Sequence, residues 1–241
     1  MRPLALLAVL ALAGCTATPE PEPTDALSGT VTVFAAASLS GSFEEIKEAF
    51  IAENPDVDVV FSFGGSSGLA TQLNEGAPAD VFAAASPATM ASVDDVSDAQ
   101  VFATNVLEIA VPAGNTGGIT GLDDFADPDK AIALCAVEVP CGAASAKLFE
   151  AEGITPSVDT YEQDVKAVLT KVELGEVDAG LVYVTDVREA GNGIEGIEVT
   201  SAPVDYPIVA LTDSEAAVAF IAFVLSEKGR AILAAAGFGA P

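Results

Sequence analysis

Histidine and tryptophan are absent from the 241 residues, and 9 Lys and Arg stand against 36 Asp and Glu. Without histidine there is no Ser–His–Asp triad, no imidazole general base and no His-ligated metal. A formal net charge of −27 repels phosphate backbones, which excludes nucleic acid as a partner. Aromatic residues make up 6% of the chain, too few for an aromatic sugar-stacking platform. No stretch reaches the roughly 20 apolar residues needed to span a bilayer. What is present is a folding composition, 51% hydrophobic and much of it alanine. The length suits one or two domains with a sizeable core.

The first fourteen residues read as an address. Arg2 supplies a positive start, residues 3–13 are apolar, and Leu12-Ala13-Gly14-Cys15 follows. The run is too short to cross a membrane and has the flanks of an export signal. The tetrad resembles a bacterial lipobox, which implies removal of residues 1–14 and lipidation of Cys15. Residues 15–28 then form a tether. Its TATPEPEPT run (residues 16–24) cannot bury apolar surface and stays extended. The expected location is outside the cytoplasm, lipid-anchored at the membrane face or in the periplasm.

From residue 30 onward, strand and helix signals alternate. Strands are expected at 30–36, 56–63, 80–84, 131–135, 179–185, 195–201 and 206–211, with one long extended stretch over 99–112. Helices are expected at 41–52, 69–74, 142–152, 163–174, 215–225 and 229–236, with Gly153 and Gly175 as stop signals. The alternation predicts an α/β fold with mainly parallel sheets.

Four segments place small or polar residues just before a helix: 37–40 (ASLS), 65–68 (GSSG), 140–143 (PCGA) and 162–165 (EQDV). A helix start presents unpaired N–H groups and a partial positive charge, so it can hold an anion without Lys or Arg. Read alone, each serine there is an ordinary cap, Val165 a first-turn apolar residue and Tyr183 a core side chain. The run GGSSG lacks the lysine of a phosphate-binding P-loop.

Beyond Cys15, two cysteines remain. In an exported chain Cys135 and Cys141 read as a disulfide. A redox pair and a thiol nucleophile at Cys141 are the alternatives; the spacing of six and the missing base speak against both. A Ser145/Lys147 dyad is also disfavoured, because residues two apart on a helix do not face each other.

VTVFAAASL (31–39), FGGSSGLATQLNEGAPADVFAAA (63–85), VPCG (139–142) and GLVYVTDV (180–187) together resemble the molybdate-binding proteins of bacterial ABC uptake systems. The resemblance extends over about residues 29–240. It implies a type II, two-lobed Venus-flytrap fold with lobe I at 29–109 plus 206–241 and lobe II at 110–205. The crossing strands would lie near 108–111 and 203–207. It implies no enzyme activity, no cofactor and no direct metal ligand. The ligand would be molybdate or tungstate, the partner an ABC permease, and the state monomeric. Sulfate is the alternative ligand, and a structural lipoprotein without transport the remoter one.

By the same resemblance, Ser38 and Ser66 would donate their hydroxyls and N–H groups, Cys141 and Val165 their N–H groups, and Tyr183 its phenol. Cys141 stands where the family often has alanine. The set contains only donors. That suits a fully ionised oxyanion and disfavours hydrogen phosphate, whose proton would find no acceptor.

Overall fold

The computed structural model describes residues 27–241. The export signal, Cys15 and nearly all of the tether therefore lie outside the described residues. Two five-stranded sheets are present, each with helices packed against it.

The first sheet is built around β1 (Gly29–Ala36), whose β-branched run ends in four consecutive buried residues. Parallel neighbours β2 (Val57–Gly64) and β3 (Val81–Ala83) flank it. Both faces are covered. Helices α1 (Ser40–Glu53), α7 (Glu215–Val224) and α8 (Glu227–Ala236) pack Phe43, Phe50, Phe220 and Leu233 on one side. Helices α2 (Ser66–Asn74) and α3 (Pro87–Met90) close the other over Phe34 and Phe82, which are register partners. The order β2-β1-β3-β10-β4 is completed by β4 (Gln100–Asn105) and β10 (Val204–Ala210), and β10 runs antiparallel to both of its neighbours.

The second sheet has the order β7-β6-β8-β5-β9. Parallel β6 (Ile132–Cys135), β7 (Thr160–Glu162) and β8 (Ala179–Tyr183) feed helices α4 (Pro140–Glu152), α5 (Val165–Glu173) and α6 (Val184–Ala190). Antiparallel β5 (Leu107–Pro112) and β9 (Ile194–Glu198) complete it. Phe125, Phe149, Val168 and Val172 are buried in its own core.

Three expectations need correction. The sheets are mixed and not mainly parallel, with two parallel and two antiparallel pairings in each. The extended stretch 99–112 is two strands in two sheets. Its break is at Val106, whose N–H is taken by Asn105 Oδ1 (3.0 Å) and whose carbonyl is taken by Val184 N–H (3.1 Å). The chain thus crosses between sheets at Val106 and again over 199–203, a few residues ahead of the expected crossings. Leu107 N–H donates to Ser201 Oγ (3.0 Å), which ties the two crossings together. Finally, the strand expected over 179–185 stops at Tyr183, and α6 begins at once.

Candidate functional site

Ligands of open α/β sheets gather beyond the carboxyl ends of parallel strands, where the chain turns into helices. Here such ends from both sheets meet at one cavity of about 20 Å³. That volume holds little more than a water or two in its present form, which points to a single small ion and not to a sugar, peptide or nucleotide.

β1 delivers Ala37 and Ser38 in a tight turn before α1, and β2 delivers Gly64, Gly65 and Ser66 at the start of α2. From the other sheet come Pro140 and Cys141 of α4, Asp164 and Val165 of α5, and Tyr183 at the end of β8. All five expected contacts, Ser38, Ser66, Cys141, Val165 and Tyr183, therefore line the same cavity, and all five are buried. The four anticipated helix starts converge on it.

The N-terminal N–H groups are unusually free. No side chain caps the turn at Ala37, α2 or α4. Buried helix starts normally find a capping acceptor, and these three have no side-chain one. α5 is the exception, since Asp164 accepts from Ala167 N–H at 2.9 Å. Asp164 is also a carboxylate on the cavity wall, which the donors-only expectation did not include. No Lys or Arg of the described residues lines the cavity.

The hydroxyls are oriented by their own partners. Ser66 Oγ accepts from Ala85 N–H at 3.0 Å, which leaves its proton to point elsewhere. Ser38 Oγ lies 2.8 Å from Tyr206 Oη, a residue of β10 that sequence reasoning missed. Their separation of 168 residues leaves no local signal. Tyr183 Oη is fully buried and has no hydrogen-bond partner among the described residues. Burial, reinforced by Tyr206 and Asp186, holds the Tyr183 phenol well above its ordinary range, so it remains a neutral donor.

Asp186 fixes the turn that carries Tyr183. Its Oδ2 accepts from Tyr183 N–H at 3.0 Å, and its Oδ1 pairs with Lys166 Nζ at 3.1 Å. Burial raises the Asp186 pKa, and the Lys166 ammonium and the Tyr183 N–H offset this only in part. Burial alone would lower the Lys166 pKa, but Asp186 and Glu189 together outweigh it and the net direction is upward.

Cys135 and Cys141 are joined by a disulfide, with Cα atoms 5.7 Å apart. It closes the loop that leads into α4. A Cβ at Gly142 would overlap the Ala136 carbonyl oxygen, so that loop folds hard against the helix start. Ser145 Oγ bonds back to the Cys141 carbonyl (2.8 Å), an ordinary helical contact that turns it away from any dyad. Ser67 reaches across to the other sheet and donates to the Glu138 carbonyl (2.6 Å).

The profile of the bacterial extracellular solute-binding protein family matches residues 31–239. The molybdate-binding protein ModA of Mycobacterium tuberculosis is 40% identical over 225 residues, covering 88% of this chain and 85% of that protein. Among solved structures, the periplasmic molybdate-binding protein of Azotobacter vinelandii aligns with a TM-score of 0.75 at 21% identity, over 88% of this chain and 99% of that one. The sulfate-binding protein SubI of M. tuberculosis aligns with a TM-score of 0.74 at 19% identity, over 87% and 86%.

Proposed function

We propose, from the premise that the chain belongs to the bacterial extracellular solute-binding proteins, that it is the receptor of an ABC uptake system for molybdate or tungstate. The observation that carries this reading is the Tyr183 hydroxyl, buried without a partner among the described residues at a small cavity where four helix starts meet. An unpartnered buried donor costs about 1–3 kcal/mol, and an anion would offset that cost.

In this reading Ser38 and Ser66 donate hydroxyl and N–H, Cys141 and Val165 donate N–H, and Tyr183 donates its phenol. The oxyanion is held by neutral dipoles in a water-excluded site, where each is worth more than in solution. Because the donors come from both sheets, the ion bridges the lobes and favours their closed arrangement, the form a permease could recognise. Cys15 anchors the receptor through its lipid, residues 16–28 give it reach, and it works as a monomer. Sulfate fits the same donor chemistry, and only cavity size would separate it from molybdate.

Thermal unfolding of the chain with molybdate, tungstate, sulfate and phosphate tests the reading. At about 1,000 times Kd a ligand stabilises by roughly 4 kcal/mol, a rise in Tm of very roughly 8–16 °C. Molybdate and tungstate should give it. Tyr183→Phe should weaken molybdate binding about 10- to 100-fold, the loss of one hydrogen bond to a charged group. An unchanged Tm with all four ions would overturn the proposal.

A further inference from the structure

Tyr206 is fully buried, and its ring is held on three sides by aromatic neighbours. Phe238 lies at 5.4 Å, Tyr183 at 6.1 Å and Phe102 at 6.4 Å between centroids, each edge to face. The ring is locked by packing, so its hydroxyl occupies a fixed point, 2.8 Å from Ser38 Oγ. Nearby, Asn105 Oδ1 accepts from Val106 N–H, and one Nδ2 hydrogen goes to Thr185 Oγ1 (2.9 Å).

We propose that Tyr206 is a positioning residue that fixes the direction in which Ser38 donates, and thereby the preference of the site for a fully ionised oxyanion. The inference rests on the oxyanion-receptor reading above. A serine hydroxyl has one proton and two lone pairs. When Tyr206 donates to Ser38 Oγ, one lone pair is filled and the proton is free to face the cavity. Ser66 shows the same arrangement with a backbone donor, since Ala85 N–H fills its lone pair. Both serines are thus converted from ambivalent groups into donors. A singly protonated anion such as hydrogen phosphate would find both serines turned to donate, which leaves the Asp164 carboxylate, its Oδ1 already taken by Ala167 N–H, as the acceptor on that wall. Burial keeps the Tyr206 phenol well above its ordinary range, so it retains the proton it has to give.

The test uses Tyr206→Phe in the full chain, with molybdate and inorganic phosphate as probes in calorimetric titrations. Molybdate affinity should fall about 3- to 10-fold, the net worth of one neutral hydrogen bond. Phosphate affinity should hold or rise, because the freed Ser38 lone pair can accept its proton. The molybdate-to-phosphate ratio should therefore narrow by about tenfold. Adding Tyr206→Phe to a Ser38→Ala chain should have no further effect on that ratio. If both affinities fall by one common factor, Tyr206 is only a packing residue and the inference is overturned. A wild-type chain silent to molybdate, tungstate and sulfate would instead overturn the receptor reading itself. A second readout needs no variant. In wild type, the shielded Tyr206 hydroxyl proton should move downfield when molybdate is added, and an unmoved resonance counts against the inference.

Discussion

Glu108 and Glu198 face each other directly across β5 and β9. Partial burial, then the Glu198 charge, raise the Glu108 pKa above the usual 4.5, and Arg188 offsets this only in part. The folded chain therefore holds this proton more tightly than the unfolded chain does. Stability from it is full below the usual carboxylate value and is lost as pH rises through the raised folded value. Glu108→Gln should raise the denaturant midpoint at pH 7, by about 0.2–1 kcal/mol in stability, and leave it unchanged near pH 3. A gain of equal size at both pH values would show that the charge is not the cause. At the same scale, the gathering of Ser38, Ser66, Cys141, Val165 and Tyr183 at one cavity was legible only through the family resemblance, since read alone they are caps, a first-turn residue and a core side chain. Tyr206, Ser67 and Asp164 were not. Tyr206 and Ser67 act through partners distant in sequence, and Asp164, although part of an expected helix start, was read neither as its cap nor as a carboxylate at the cavity wall.

Among the elements, α2 shows how closely the two sheets approach. A Cβ at Gly65 would overlap the Gln163 carbonyl oxygen just ahead of α5. That obstacle is backbone and cannot swing aside. Gly65→Ala should hold the lobes apart and cost about 5- to 100-fold in molybdate affinity, within the range of overpacking penalties. The Tm of the ligand-free chain should change little, because the contact lies between lobes and not within a core. Calorimetric titration together with scattering measurements checks both parts, and wild-type affinity would refute the argument. Most elements could be read from periodicity, but α6 could not. Tyr183, Val184 and Thr185 continue a β-type run, and the switch to helix depends on the Asp186 carboxylate capturing Tyr183 N–H. The break at Val106 is likewise set by partners from outside its own strand.

For the molecule as a whole, a net charge of −27 and an anionic ligand look opposed. They are compatible because screening acts over about 8 Å, whereas inside the cavity local N–H and O–H dipoles dominate. The same balance explains why the cavity wall needs no Lys or Arg. No helix among the described residues is long and apolar enough to cross a membrane. The α/β class was open to the sequence, as was the convergence of four helix starts once the family resemblance was seen. The mixed character of the sheets was not, since strand direction follows from the two crossings and not from composition. Cavity size, on which the proposed choice of molybdate over sulfate depends, is likewise a property of the packed molecule.

The most direct measurement is therefore a calorimetric titration of the chain with molybdate, repeated in the presence of excess sulfate and then excess phosphate. The account predicts one ion per chain, tight binding with molybdate, and no displacement by phosphate. Absence of molybdate heat, or its loss in excess phosphate, would contradict a site in which the serines, Tyr183 and the helix-start N–H groups all donate.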